Sequence, residues 1–119
     1  MSIQILLDQA RVAPGGSIAG RVVLTPLSEE AKRKVEMSVL WETAGKGDTD
    51  MGVILHAVLA DDDPERANAE HPFEQRLPLL PLSYAGKLLK LRWLVRVRRF
   101  RPFADDLVVD QEFHVGWDP

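Results

Sequence analysis

Three histidines are the side chains here that could bind a transition metal, because the chain contains no cysteine. His56, His71 and His114 lie far apart, and none belongs to a His-Glu-x-x-His motif. We therefore interpret His56 and His114 as residues on strand faces, and we predict no metal site and no other cofactor.

A run of acidic residues, Asp61 to Asp63 followed by Glu65, has the ligand type that calcium prefers. An EF-hand loop starting at Asp61 would need glycine at its sixth position and glutamate at its twelfth. Those positions hold Arg66 and Pro72. We therefore predict that the segment 61–70 is a solvated acidic loop.

Signatures of catalysis are missing from the sequence. It contains no Gly-x-Ser-x-Gly elbow and no cysteine nucleophile, and Gly15, Gly16 and Gly20 match neither common phosphate-binding motif. The pair Asp105-Asp106 is typical of a turn. We expect that the protein is not an enzyme; a small enzyme whose site the sequence does not display is the alternative.

A basic stripe is the clearest candidate for binding an anion. Lys90, Arg92, Arg96 and Arg98 alternate with apolar residues and so share one face of a strand. Such a stripe could bind an anion or nucleic acid through the segment 90–101, which is one alternative function. Because the net charge of the chain is -3, we do not expect a general attraction to nucleic acid.

The competing interpretation is that acidic residues on neighbouring strands pair with this stripe. If Leu40 lies opposite Leu94, antiparallel pairing places Glu42 opposite Arg92 and Glu36 opposite Arg98. The last strand then brings Asp110 close to Arg96. This register predicts that the stripe mainly stabilises the sheet.

Two other features could bind a partner. The segment after the basic strand carries Arg99, Phe100, Arg101 and Phe103, and arginine and phenylalanine are enriched in protein interfaces. We predict a hairpin tip there, which either contacts a protein partner or folds down to cap the core. An unpaired sheet edge could accept a partner strand, and a homodimer could form through either feature.

Strands must position all of these residues, because period-two alternation dominates the chain. We predict an all-β, two-sheet antiparallel sandwich of the immunoglobulin-like kind with about seven strands. The strands are expected near residues 3–7, 18–24, 35–42, 51–59, 73–77, 89–98 and 107–115. One charged stretch, 28–34, could form a short helix or a loop.

Length and composition suit a single domain spanning residues 1–119. We expect no signal peptide, because the N-terminus shows no basic n-region and no long apolar run. We also expect no membrane-spanning segment, because no segment approaches the ~20 apolar residues that a membrane helix needs. The absence of cysteine fits a reducing compartment, and the protein is expected to be cytoplasmic.

Three segments resemble the arrestin-like superfamily, which includes bacterial sporulation-control proteins and an arrestin-related retromer subunit. Residues 14–22 are similar to its Pro-Gly, β-branched, Gly, Val pattern, and residues 77–86 to its Leu-Pro…Pro-x-Ser-x-x-Gly segment. Residues 91–97 are similar to a strand with a central Trp or Tyr. The resemblance implies an arrestin-like sandwich and a non-catalytic scaffold or adaptor role with a protein partner. Arrestins usually carry two such domains, so features of the domain pair are not transferred.

Overall fold

The computed structural model describes residues 2–25, 34–45, 49–67, 69–100 and 105–117. Within these ranges, nine strands and one short helix follow in chain order: β1 (Ser2–Leu7), β2 (Arg11–Val12), β3 (Ser17–Thr25), β4 (Val35–Gly45), β5 (Met51–Ala60), α1 (Pro64–Ala67), β6 (Glu70–Arg76), β7 (Tyr84–Ala85), β8 (Leu89–Arg99) and β9 (Leu107–Val115).

The strands form two sheets that pack together. One sheet has the order β1-β3-β6, and the other has the order β2-β9-β8-β4-β5, with β7 also paired to β8. Within the described part of the chain every pair is antiparallel except β2 with β9. The predicted all-β sandwich is confirmed.

All seven predicted strands are present, and three short elements were not predicted. The strands β2 and β7 have two residues each, which is too short to show period-two alternation. The helix α1 is one turn inside the acidic segment; the Oδ1 atom of Asp63 accepts hydrogen bonds from the backbone N–H groups of Glu65 and Arg66 at 3.1 and 3.3 Å. An aspartate N-cap followed by proline is a common start for a helix. The stretch 28–34, apart from Lys34, lies outside the described residues.

The core lies between the sheets and is centred on Trp93, which is fully buried. Its ring centroid lies 6.1 Å from that of Phe113, and its indole N–H donates to the carbonyl oxygen of Pro81 at 2.9 Å. This bond holds the connection between β6 and β8 against the core. Alternate residues of the other strands complete the cluster, among them Ile18, Val22, Leu24, Val35, Met37, Val39, Val95, Val97 and Val115.

Gly20 allows β1 to approach β3 closely. It lies opposite Leu7, and a Cβ at this position would overlap the backbone carbonyl group of Leu6. The close backbone approach that a glycine inside a strand suggests is therefore present here.

Candidate interaction surfaces

The outer face of the larger sheet carries the basic stripe, and its register is the predicted one. Leu40 lies opposite Leu94, and Glu42 lies opposite Arg92. On the other side of β8, Arg96 lies opposite Asp110. The two leucines are only 2% and 0% exposed although they point away from the main core, so charged side chains surround a small apolar centre.

Ion pairs occupy the two central cations of the stripe, Arg92 and Arg96. The Nε atom of Arg92 donates to Oε1 of Glu42 at 2.8 Å, and Nη1 lies 3.7 Å from Oε2 of Glu112. Arg96 binds Asp110 with two parallel bonds, Nε to Oδ1 at 2.8 Å and Nη2 to Oδ2 at 3.0 Å. The hydrogen bond with Glu42 raises the pKa of Arg92, and the bond with Asp110 raises that of Arg96. An external anion would have to compete with these carboxylates.

Glu36 forms a second charged cluster, at the other end of β4. Its Oε1 atom lies 3.0 Å from Nζ of Lys34, and its Oε2 atom lies 3.0 Å from Nε2 of His56. These contacts lower the pKa of Glu36; the hydrogen bond from Lys34 has the largest effect, and that from His56 the second largest. The register places Glu36 opposite Arg98 as predicted, but the carboxylate contacts Lys34 and His56. Among the described residues Arg98 has no ion pair.

The strand β5 borders this face and forms an edge of the larger sheet. In the part of the chain that the structure describes, it pairs only with β4. Its ten residues include no proline and no charged residue other than the titratable His56, and Met51, Val53 and Val58 are exposed large apolar side chains. Edge strands usually carry charges or prolines that oppose pairing with another chain.

A groove of about 210 Å³ lies beside this edge on the outer face. Apolar side chains from β4 and β5 form one part of its lining, and Ser38, His56, Arg96 and Arg98 form a polar part together with Glu36. The groove can receive one side chain of a bound segment, because its volume is close to that of a large residue.

The predicted hairpin tip is only partly described, since Arg101 and Phe103 lie outside the described residues. Arg99 is fully buried, so its side chain is not on an accessible surface, and this corrects the prediction for that residue. The strand β8 continues through Arg99, and alternation turns this side chain to the same face as Val97. Phe100 is partly exposed, and Nζ of Lys34 lies 5.9 Å from its ring centroid.

An exposed apolar surface at one end of the sandwich was not predicted. We call it the apolar tip; it consists of Leu79, Leu80, Tyr84, Leu88, Leu89 and Trp117. The first five belong to the connection between β6 and β8 and the start of β8, and Trp117 follows β9. A signal was present in the sequence, namely two Leu-Leu pairs in a segment rich in turn residues.

Backbone hydrogen bonds gather these segments at one end. The N–H of Gly15 donates to the carbonyl oxygen of Pro78 at 3.3 Å, and the N–H of Gly116 donates to that of Val12 at 3.2 Å. The N–H of Ser83 donates to the carbonyl oxygen of Val115 at 2.9 Å. The apolar tip therefore lies on a hydrogen-bonded scaffold.

No helix in the described ranges is long and apolar enough to cross a membrane. No protein-family model matches the chain, and no curated protein sequence matches it.

A search of solved structures finds similarity to the sporulation control protein Spo0M from Bacillus subtilis. The TM-score is 0.59 and the sequence identity is 14%, and the match covers 98% of this chain and 49% of that one. The chain thus spans about half the length of the structure it matches. At this identity the likeness concerns the fold, and the protein has an arrestin-like β-sandwich fold.

Proposed function

We propose that this chain is a non-catalytic, cytoplasmic protein-interaction domain, an adaptor that binds an extended segment of a partner protein along β5. The observation that carries the proposal is the outer edge of β5, which pairs with no other strand in the described part of the chain and carries no proline and no titratable side chain other than His56. A peptide that adds a strand to such an edge gains main-chain hydrogen bonds, and pockets for its alternate side chains provide specificity.

The geometry of β5 limits where the partner strand pairs. The pairing with β4 changes register twice, because Ile54 and Leu59 are extra residues on β5. Bulges bend a strand and interrupt its ladder. The residues between them, 55–58, form the regular part of the edge, so a short partner segment fits better than a long one.

The groove beside the edge suggests the chemistry of the partner. Its polar part includes Arg98, which has no ion pair among the described residues, and the acid in the same groove, Glu36, already contacts Lys34 and His56. The apolar part is formed by Leu40, Met51 and Val53. A partner segment with an acidic residue next to an apolar one matches both parts.

The test is capture of proteins from a cell lysate with the full chain and two matched variants. Val53→Lys places a charge on the edge, whereas Leu6→Lys places one at an exposed leucine of β1, in the other sheet. We expect a partner that the native chain and the Leu6→Lys variant retain and that Val53→Lys loses. Failure to enrich any protein, together with turnover of a metabolite by the purified chain, would overturn the proposal.

The segment 100–103 is a second proposed surface for the same function. Support comes from Phe100, which is partly exposed, while Arg101 and Phe103 remain predictions. The same capture experiment with Phe100→Ala decides between the two surfaces, because a partner lost only with this variant binds the hairpin segment. Analytical ultracentrifugation of the native chain shows whether the partner is a second copy.

A further inference from the structure

The five most exposed large apolar side chains of the described residues all belong to the apolar tip. Leu80 and Trp117 are each 71% exposed, Leu88 is 68% exposed, and Leu79 and Tyr84 are more than half exposed. Soluble proteins seldom expose large apolar side chains in such a group unless the group binds something. The tip lies on the connection between β6 and β8 and after the end of β9, and it shares no residue with the β5 edge or its groove.

The charges around the tip indicate an anionic occupant. The segment from Leu77 to Leu91 contains Lys87 and Lys90 but no acidic residue, in a chain whose net charge is -3. Glu112 of β9 lines a cleft together with Tyr84 and Lys90, so Lys90 has an acid beside it without forming an ion pair with it. Both lysines are exposed, and in the described part of the chain neither forms an ion pair. The two residues between them are Leu88 and Leu89, so a lysine flanks the exposed leucine pair on each side.

The shape of the hairpin fits insertion of its end into a soft surface. The strand β7 pairs with Lys90 and Leu91 of β8, and the N–H of Gly86 donates to the carbonyl oxygen of Leu89 at 2.9 Å. This closes a short turn with Lys87 and Leu88 at its end. The hydrogen bond between Gly86 and Leu89 satisfies two backbone groups inside the hairpin, which lowers the cost of moving its end into a less polar surface.

We propose that the apolar tip binds the surface of a lipid bilayer that contains anionic headgroups. The leucines enter the boundary between headgroups and acyl chains, where burial of apolar area supplies binding energy. Tyr84 and Trp117 lie at headgroup depth, where aromatic side chains with a polar atom are favoured. Lys87 and Lys90 contact the anionic headgroups, so binding combines both contributions.

The experiment is sedimentation of the full chain with vesicles of phosphatidylcholine alone and of phosphatidylcholine with phosphatidylglycerol. We expect binding to the anionic vesicles, weaker at high salt, with a blue shift of the Trp117 emission that Trp117→Phe removes. Replacing Leu80 or Leu88 by serine should weaken partitioning about tenfold each. Lys87→Gln and Lys90→Gln should each weaken it about fivefold.

Matched controls keep the test decisive. Val53→Ser removes an exposed apolar side chain from β5, and it should leave vesicle binding unchanged. The proposal is overturned if the native chain binds neither vesicle at low salt, or if Val53→Ser weakens binding as much as Leu88→Ser does. It is also overturned if the chain self-associates without lipid and Leu88→Ser makes it monomeric, because a second copy then covers the tip. Far-UV circular dichroism of each variant confirms that it is folded.

Discussion

At the scale of single residues, the outer face of the larger sheet shows how side-chain charge specifies strand register. Arg92 lies opposite Glu42 of the neighbouring strand β4. Its guanidinium nitrogens also lie near two acids of β9, Nη2 at 3.7 Å from Oδ2 of Asp110 and Nη1 at 3.7 Å from Oε2 of Glu112. A shift of one residue would separate these pairs and would turn core residues outward. Because the pairs are partly exposed, their larger contribution is to register rather than to stability.

A charge-reversal pair tests this network. We expect Arg92→Glu to lower the free energy of unfolding by about 1 kcal/mol, because it brings a further carboxylate beside three others. Adding Glu42→Arg should recover only part of the loss, since Arg96 lies 3.5 Å from the Glu42 carboxylate and would repel the new cation. Urea unfolding of the two single variants and the double variant measures the coupling.

Lys90→Glu is the control for a charge change on the same strand, because Lys90 forms no ion pair within the described ranges. It should change the stability by less than Arg92→Glu does. Strict additivity of Arg92→Glu and Glu42→Arg would show that these side chains do not interact in solution.

Alternation predicted this part of the site well, and it also explains why Arg99 lies in the core instead of at the predicted hairpin tip. The exceptions on the polar faces, Leu40 and Leu94, fixed the register of β4 and β8 from sequence. The same alternation assigns Arg99 to the core face with Val97, but a composition argument assigned it to a hairpin tip instead. The contact of Glu36 with Lys34 and His56 could not be predicted, because it depends on side-chain geometry and on the pairing of β5.

At the scale of elements, Gly20 sets the distance between β1 and β3. We expect Gly20→Ala to destabilise the protein by about 1–3 kcal/mol, because the added Cβ meets backbone atoms of Leu6 that cannot move without separating the strands. Thermal and urea unfolding measure this loss.

Gly86→Ala is the matched control for this substitution. Its Cβ would meet the side chain of Tyr84, which is exposed and can rotate away. The cost should therefore be smaller. If Gly86→Ala lowers the free energy of unfolding as much as Gly20→Ala does, the close backbone approach of β1 to β3 is not the reason for the loss at Gly20.

The elements that sequence did not predict are those held by a few backbone bonds. The strand β7 occupies the place beside β8 that β9 leaves, because β9 turns at its end to pair with β2. A two-residue strand is too short to show in its sequence that β8 changes its neighbour from β9 to β7. The position of the apolar tip therefore could not be derived from alternation. Its composition was visible, but its exposure depends on these long-range contacts.

At the scale of the whole molecule, the two proposed surfaces lie on different parts of the sandwich. The β5 edge borders the larger sheet, whereas the apolar tip lies where β8 begins and β9 ends. The two surfaces share no residue, so a substitution in one surface can be tested for its effect on binding at the other.

Native-state hydrogen exchange tests the order of stability that this architecture implies. The strand β8 is paired on both sides, with β4 along its length and with β9 or β7 opposite, so its amides should exchange most slowly. Amides of β5 that point away from β4 should exchange fast, because they contact water in the free chain. Protection of these amides that rises with protein concentration would show that a second copy pairs along β5, and strong protection at high dilution would contradict the open edge on which the proposed function rests.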